Sequence, residues 1–381
     1  MKSLFDGSLK NFDKARIVVL FSTLPLVGGN STITLRLALK LREEGIRVVI
    51  VAKEMPSIGY CENTYSSLLK LGCVIYKWPL ANPLAACQLI FQLHQESNRG
   101  VITFVAVGMR WGAVLLSALV RFDASWFYMI QHDRLLGPIR IFGPLIRIFD
   151  GIGMISTESI GLTRKKLDGG PHIVWLPQFS GTGKGDYGRQ DKTAVGNRKA
   201  LGFLGQLTES KGILFLIKLW SENRSLPKLV VVGDGPLRAA VENAAKDDNR
   251  IDYRGGFSAS DSANVLPRFF DEIDTLLVPI MREGDGIPTV ILEGLSYGVP
   301  TLCTNLGGLG AFERALKPPI PSVVRAVSLA NFKKELEVLS TGESDDPNIS
   351  FHCRTYYDSF FSDTTVLMRW NNLLAQMTPV I

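Results

Sequence analysis

Short, continuously apolar segments alternate with longer amphipathic segments along almost the whole chain. The apolar runs include ARIVVLFS, IRVVIVAKE and KLVVVGDG, and the segments between them place apolar residues at helical spacing. Continuously apolar strands that alternate with helices are typical of a parallel sheet covered by helices on both faces. The pattern therefore predicts an α/β fold.

The alternation is interrupted between residues 179 and 198, where the chain is rich in glycine and charge and has no apolar periodicity. We therefore predict two doubly wound, Rossmann-like domains, residues 1–178 and 199–355, joined by a hinge at 179–198. Residues 356–381 are predicted to form a helical tail. In two such domains facing each other across a cleft, the ligand is expected at the carboxyl ends of the strands.

Charge is distributed unevenly between the two halves. Residues 1–177 carry 20 Lys and Arg against 12 Asp and Glu, whereas the rest of the chain carries 22 against 24. This excess predicts that the first half meets an anionic partner such as a phosphate or a membrane surface, unless it only keeps the protein soluble. The basic residues do not interleave with aromatic residues in one segment, which argues against nucleic acid.

Several protein classes are disfavoured by composition. The five cysteines are scattered without a CxxC pair and the four histidines lack metal-ligand spacing, so neither a disulfide framework nor a zinc site is expected. The start MKSLFDGSLK contains Asp6 ahead of any apolar run, unlike a signal peptide. The apolar stretch 101–120 contains Arg110 near its middle, which favours a strand and a helix over a membrane span. We expect a cytoplasmic protein.

The stretch EGDGIPTVILEGLSYGVP concentrates carboxylates at the beginning of a predicted helix. Pro288 marks the start of this helix near Thr289, and its uncapped N–H groups and dipole would suit an anion. Glu293 lies one turn inside, where its carboxylate can accept hydrogen bonds from a vicinal diol such as a ribose, and Asp285 can do the same for other hydroxyls. The alternative is that both acids only complement the helix dipole.

Other turns between a strand and a helix add candidates. Lys211 follows the strand of GFLGQLTESKG, where its ammonium can neutralise a phosphate or simply lie on the surface. Gly28 and Gly29 follow the first strand, where their missing side chains allow a ligand, or only a tight turn, to approach the backbone. The GDG of KLVVVGDGP is a similar close-approach turn, and taken alone it is a weak signal.

In their order and spacing, the segments GFLGQLTESKG, KLVVVGDGPLRAAVE and DGIPTVILEGLSYGVPTLCTNLGG resemble the C-terminal half of the family-four retaining glycosyltransferases, which have the GT-B fold. PLVGGNSTITLRLALKLREEGIRVVIVA resembles the opening of their acceptor domain. The similarity runs over nearly the whole chain and is most specific over about residues 200–310.

The resemblance implies a role for each matching residue. The family's acidic pair falls on Asp285, for the donor sugar, and Glu293, for the nucleotide ribose. Lys211 would meet the diphosphate, and His132 would lie beside the transferred sugar. Further donor contacts are expected from Gly205, Gln206, Gly286, Ile287, Pro288, Thr289, Gly28 and Gly29.

One position departs from the family pattern. Gln206 stands where the family usually has an arginine that shares the diphosphate charge with the lysine, so either donor binding is weaker or another cation, such as Arg282, substitutes. The departure keeps open a non-catalytic sugar-nucleotide-binding or scaffold protein on the same fold. A Rossmann oxidoreductase is disfavoured because no GxGxxG fingerprint is present.

The resemblance implies a retaining glycosyltransferase that moves a hexose-type sugar from a UDP- or GDP-sugar to a glycan or lipid-linked acceptor, for a surface polysaccharide. No cofactor or metal is expected, because Lys211 and the helix N-terminus can hold the diphosphate and no convincing DxD motif is present. The segment DRLLGPIRIFGPLIRIFDG mixes arginines with large apolar residues. It is interpreted either as a peripheral contact with the inner face of the membrane or as a core helix with exposed arginines.

Overall fold

The computed structural model describes most of the second half of the chain and a smaller part of the first. The described residues are 16–22, 29–52, 66, 68–70, 72–77, 83–97, 101–107, 125–130, 150–154, 160, 172–177, 179–180, 200–257, 261–282, 287–306, 323–341 and 346–376. The paired strands among them all run parallel and form two separate sheets. The predicted α/β architecture with two parallel sheets is therefore confirmed.

The first sheet is built from β1 (Arg16–Ser22), β2 (Arg47–Ala52), β3 (Val74–Lys77), β4 (Val101–Val107), β5 (Ser125–Ile130), β6 (Gly151–Met154) and β7 (His172–Trp175). Its strand order is β3-β2-β1-β4-β5-β6-β7. Helix α1 (Gly29–Glu43) connects β1 to β2, and helix α2 (Pro83–Ser97) precedes β4. Residues 17–20 of β1 are all buried, which explains its continuously apolar sequence.

Helix α1 ends just before a glycine in the left-handed conformation. Gly45 has a φ of 81°, and the N–H groups of Gly45 and Ile46 donate to the carbonyls of Arg42 and Leu41. This pairing satisfies the last carbonyls of the helix. At the other end the helix begins at Gly29.

The second sheet is built from β8 (Ala200–Leu204), β9 (Lys228–Val232), β10 (Ile251–Tyr253), β11 (Thr275–Val278), β12 (Thr301–Thr304) and β13 (Val324–Val327). Its order is β10-β9-β8-β11-β12-β13, the order of the dinucleotide-binding Rossmann fold. The helices of this half are α3 (Ile213–Glu222), α4 (Arg238–Asp247), α5 (Ser262–Glu272), α6 (Thr289–Ser296) and α7 (Leu329–Thr341).

Two helices follow the second sheet, α8 (Ile349–Phe360) and α9 (Asp363–Gln376). Ser362 caps α9, because its hydroxyl oxygen accepts a hydrogen bond from the N–H of Thr365 at 3.3 Å. Helix α8 runs from Ile349 to Phe360. The predicted boundary between residues 355 and 356 therefore falls inside a helix.

Both helices pack against the end of the first sheet. The ring of Trp175, the last residue of β7, lies 5.9 Å from that of Phe361 in an edge-on arrangement, and the guanidinium of Arg369 lies 4.3 Å above the Trp175 ring. The hydroxyls of Ser180 and Tyr357 share a buried hydrogen bond of 2.6 Å. The C-terminal helices thus contact residues that follow the seventh strand.

The helices among the described residues are short or only partly apolar. None of them is both long and apolar enough to cross a membrane. The arginine-containing segment 133–151 falls almost entirely outside the described residues, so its two interpretations stay open.

Candidate functional site

The order of the second sheet creates a topological switch point between β8 and β11. From β8 the chain continues to β9 and β10 on one side, whereas β11, β12 and β13 extend the sheet on the other. Ligands of open parallel sheets bind outside the carboxyl ends of the strands at such a point. The connections that leave these two strands carry Gly205, Gln206, Lys211, Ile287, Pro288, Thr289 and Glu293. The strand order therefore gathers these predicted donor-binding residues at one edge.

The loops after β8 and β9 are joined to each other by their backbones. The N–H of Leu207 donates to the carbonyl of Asp234 at 2.9 Å, and the N–H of Leu237 donates to the carbonyl of Leu207 at 3.1 Å. A Cβ atom on Gly233 would lie 1.9 Å from the carbonyl oxygen of Gly205. The first glycine of the GDG turn is therefore required by the contact between two loops, which is the structural alternative considered for this motif.

Lys211 is held close to the end of β11. It is the last residue of a 3₁₀ turn, Glu209–Lys211, and α3 begins two residues later. Gly212 between them has a φ of 76° and approaches the next loop closely, since a Cβ there would lie 2.0 Å from the carbonyl oxygen of Pro279. The predicted phosphate-binding lysine thus sits on a loop whose backbone is fixed against the switch point.

A cavity of about 630 Å³ opens beside this loop. Its walls are formed by Thr208, Glu209, Ser210, Pro236, Leu237, Met281 and Arg282. The volume lies in the range of sites for small ligands. Arg282 is the cation named as a substitute for the missing arginine at position 206, and it lines this cavity together with the residues that precede Lys211. Gln206 itself is exposed.

Helix α6 presents its N-terminus to the same edge. Pro288 occupies the cap position in an extended conformation, with a φ of −61°, and its side chain makes no capping hydrogen bond. Proline at this place is the predicted start signal, and Gly298, with a φ of 74°, follows the end of the helix. Among the described residues, no side chain caps the first N–H groups of α6, which can therefore bind an anion. Ile287 is buried and Thr289 is half-buried beside them.

Glu293 lies one turn inside α6 and is only 8% exposed. Its Oε1 atom is 3.5 Å from Nη2 of Arg36, which is on helix α1 of the other sheet. Burial raises the pKa of the Glu293 carboxyl because desolvation disfavours the charged form, and the charge of Arg36 opposes this shift. The acid predicted to bind the ribose is thus a buried carboxylate that forms an ion pair between the two halves of the chain.

Arg36 was not identified from the sequence. It also donates from Nη1 to the carbonyl oxygen of Phe179 at 3.3 Å, so it joins α1, the start of the predicted hinge and the candidate site. The sequence offers one signal for it. Arg36 and Lys40 are one turn apart on an otherwise apolar stretch of α1, and two cations on one face of such a helix indicate partners outside it.

Several predicted site residues lie outside the described residues. These are Gly28, His132, Asp285 and Gly286. Gly29 is described and forms the first residue of α1. The roles assigned to these positions therefore stay predictions.

The residues with defined positions include no cluster of candidate metal ligands. In that part of the chain, no group of three or more His, Cys, Asp or Glu side chains is arranged to hold a metal ion. Whether the protein acts without a metal stays a prediction.

Residues 198–317 match the model of the family described as glycosyl transferases group 1. The chain is 27% identical over 138 residues to the teichuronic acid biosynthesis glycosyltransferase TuaC of Bacillus subtilis (strain 168), covering 35% of this chain and 32% of TuaC. It is 26% identical over 180 residues to the glycosyltransferase EpsF of the same organism, covering 43% of this chain and 46% of EpsF. The matched segments thus span less than half the length of either relative.

The fold is similar to known structures over nearly its full length. Against the crystal structure of Anabaena Alr3699/HepE in complex with UDP, the TM-score is 0.72 at 13% identity, covering 94% of this chain and 99% of that chain. At such identity the likeness shows the fold alone, which is the predicted GT-B fold. Residues 198–317 therefore match the glycosyl transferases group 1 family, within a chain that has the GT-B fold.

Proposed function

We propose that this protein is a retaining glycosyltransferase. It moves a hexose-type sugar from a UDP- or GDP-sugar to a glycan or lipid-linked acceptor, in the biosynthesis of a surface polysaccharide. The observation that carries the proposal is the position of Glu293, a buried carboxylate one turn inside a helix whose uncapped N-terminus faces the switch point of the sheet. A carboxylate and free N–H groups so arranged suit the hydroxyls and the phosphates of one ligand.

In this proposal, the ribose and the diphosphate of the donor each bind a different part of the candidate site. The ribose hydroxyls donate to Glu293, as charge-assisted hydrogen bonds. The diphosphate lies at the N-terminus of α6, near Pro288 and Thr289, where the helix dipole favours negative charge. Lys211 and Arg282, on the neighbouring loops, supply the positive charge that the diphosphate needs.

The relatives support this donor and this product. HepE has been crystallised with UDP and with UDP-glucose. TuaC is named for the biosynthesis of teichuronic acid. Together with the geometry at α6, these relatives favour a nucleotide-diphosphate-sugar as donor and a growing polymer as acceptor.

In the proposed reaction the bond between the anomeric carbon and the diphosphate oxygen breaks, and a bond from the acceptor oxygen forms on the same face of the sugar. The leaving phosphate takes the proton of the acceptor hydroxyl, so no protein nucleophile is needed. Asp285 holds the donor sugar and His132 lies beside it. The protein contributes position and charge stabilisation, and closure about the 179–198 hinge excludes water.

A second candidate function has its own observation. Gln206 is exposed on the loop of Lys211, at the position where the family usually has an arginine, and this favours a sugar-nucleotide-binding protein without turnover. Arg282 in the wall of the adjacent cavity favours the enzyme, because it restores a second cation near the diphosphate. Turnover of a bound donor distinguishes the two functions.

The place of action is proposed from the sequence. We infer a cytoplasmic protein that meets its acceptor at the inner face of the membrane. The charge excess of residues 1–177 supports contact with anionic lipid. Sedimentation with anionic vesicles, compared with neutral ones, tests this contact.

The proposal is tested by measuring thermal stability with UDP, GDP, ADP and their sugar conjugates, followed by turnover of any donor that binds. A ligand that binds only the folded state raises the melting temperature. We expect one nucleotide series to stabilise the wild type and to lose this effect in Glu293→Ala and Lys211→Ala. Equal stabilisation of the wild type and both variants would overturn the site. Binding without turnover in the presence of varied acceptors would favour the binding protein.

A further inference from the structure

Two basic side chains on one face of helix α1 form ion pairs with acidic residues of the second half of the chain. Arg36 lies 3.5 Å from Glu293, and Nζ of Lys40 lies 3.0 Å from Oδ2 of Asp363 at the start of α9. Burial disfavours the ammonium of Lys40, but Asp363 and Glu43 outweigh it and raise its pKa. Of these two ion pairs, only that of Arg36 involves the candidate site. Lys40 therefore provides a natural comparison for Arg36.

The carboxylate of Glu293 depends on Arg36 for its charge balance. Among the residues with described positions, Arg36 supplies the nearby charge that offsets burial. Helix α8 packs on α6 and carries further titratable groups. His352 pairs with Asp346 at 2.7 Å and Tyr357 pairs with Ser180. The charge of Arg354, which lies beside Gly298 at the far end of α6, acts on Asp358. A buried carboxylate that loses a nearby counter-charge takes up a proton more readily.

The ion pair leaves the carboxylate able to bind a substrate. Its length of 3.5 Å exceeds that of an ordinary hydrogen bond, so Arg36 balances the charge without occupying the oxygens as a close donor would. A ribose diol can therefore still donate to Glu293. The guanidinium is fixed from its other side by the carbonyl of Phe179, which prevents it from following the carboxylate freely.

We propose that Arg36 is a positioning residue that keeps the Glu293 carboxylate charged and oriented for the ribose of the donor, so that donor affinity depends on helix α1. This inference rests on the proposed function, because it takes the ribose as the partner of Glu293. It adds a described residue of the first half of the chain to a site whose other described residues, apart from Gly29, belong to the second half. Nucleotide binding then requires the two halves to be in contact.

The inference predicts a pH dependence that a purely structural role would not produce. Without Arg36, the carboxyl is protonated at a higher pH than in the wild type, and a protonated acid accepts the diol poorly. Below the carboxyl's pKa, affinity falls about tenfold for each pH unit. The wild type should keep its affinity to a lower pH than Arg36→Met. Arg36→Lys, which retains the charge, should partly restore the wild-type profile.

The experiment measures the affinity of the nucleotide diphosphate found in the stability panel by calorimetry between pH 5.5 and pH 8. The proteins are the wild type, Arg36→Met, Arg36→Lys, Lys40→Met and Glu293→Gln. Lys40→Met is the matched control, because it breaks the other ion pair of α1 and leaves Glu293 intact. For Arg36→Met we expect nucleotide affinity at low pH to fall about tenfold or more below that of the wild type. For Lys40→Met we expect the pH dependence of affinity to match that of the wild type.

A second readout needs no nucleotide and covers the case in which the variants fold poorly. Urea unfolding at pH 5 and pH 8 measures how much Arg36→Met lowers the free energy of unfolding. The measurement is made in the wild-type background and in the Glu293→Gln background. The loss should be larger at pH 8 than at pH 5 in the wild-type background, and equal at both pH values when Glu293 is replaced. Equal losses in both backgrounds at both pH values would overturn the role of Arg36.

The possible results distinguish a failure of the positioning role of Arg36 from a failure of the proposed function. Nucleotide binding that depends on Glu293, with a wild-type pH profile in Arg36→Met, would overturn the positioning role and leave the proposed function standing. Nucleotide binding that is the same in the wild type and in Glu293→Gln would overturn the ribose role of Glu293, and both proposals with it. A shifted profile in Lys40→Met equal to that of Arg36→Met would assign the effect to contact between the halves in general.

Discussion

Replacing Glu293 by glutamine should weaken nucleotide binding without weakening the fold. The substitution keeps the shape of the side chain and removes its charge. Hydrogen bonds to charged groups contribute about 1.5–3 kcal/mol, whereas neutral ones contribute about 1 kcal/mol. For two ribose hydroxyls, we expect a loss of about 2 kcal/mol in binding free energy, or roughly 30-fold in Kd.

The expected effect on stability follows from the surroundings of the carboxylate. Glu293 is 8% exposed, so ionisation carries a desolvation cost, and the ion pair with Arg36 offsets part of it. The side chain of Arg36 is 25% exposed and keeps its hydrogen bond to Phe179, so it tolerates the loss of its partner. We therefore expect the free energy of unfolding to change by less than about 1 kcal/mol at neutral pH.

The pH dependence has a definite sign. The folded-state pKa of Glu293 is raised, so its contribution to stability is complete below the pKa of the unfolded chain and is lost as the pH rises through the folded-state pKa. The stability of Glu293→Gln relative to the wild type should therefore improve between pH 5 and pH 8. Urea unfolding at both pH values and calorimetric nucleotide titration measure the two effects. Unchanged nucleotide affinity, or a variant that becomes relatively less stable as the pH rises, would refute the reasoning.

Three further predictions test the surroundings of the site. Lys211→Ala should weaken the binding of a nucleoside diphosphate at least tenfold and leave the affinity for the nucleoside unchanged. Competition binding can measure both affinities. Gly212→Ala should lower the free energy of unfolding by more than about 2 kcal/mol, because its φ is 76° and a Cβ would lie 2.0 Å from the carbonyl of Pro279; a small change in denaturation midpoint would contradict this. Tyr357→Phe should lower the free energy of unfolding by about 1–2 kcal/mol, because the buried hydrogen bond of 2.6 Å to the hydroxyl of Ser180 is lost.

Strands β8, β11 and β12 of the second sheet were predictable because each of them is a short apolar run buried on both faces. Residues 200–204, 275–278 and 301–304 are buried throughout, so no alternation obscured them. Helix α5 was not predicted, although it contacts the sheet closely. Pro267 lies inside it and, in the sequence, indicates a break. The structure tolerates it in a helix that packs Phe269 directly over Gly202.

Strand β13 and helix α7 were also missed. The strand is only four residues long and alternates between buried and half-buried positions, so it lacks the continuous apolar pattern of its neighbours. The candidate site was easier to locate, since its glycines, proline and acids mark turns that follow strands. The strand order that brings β8 next to β11 is a long-range property, and no local pattern revealed it.

Some basic residues of the first half of the chain pair with acidic residues of the second half and not with an external anion. The excess of Lys and Arg in residues 1–177 was interpreted as a surface for an external anion. Arg36 and Lys40 instead pair with Glu293 and Asp363 of the second half, so part of that excess meets acids of the same chain.

The ion pair between Arg36 and Glu293 joins helices that follow the topological switch points of the two sheets, where the strand order reverses. Helix α1 leaves β1, which lies between β2 and β4 at the switch point of the first sheet, just as α6 follows β11 at the switch point of the second. Parallel sheets bind ligands at these points, and the ion pair joins the helices that begin there. A donor held at α6 is therefore also within reach of α1, and a site formed in this way is complete only when both halves are in contact.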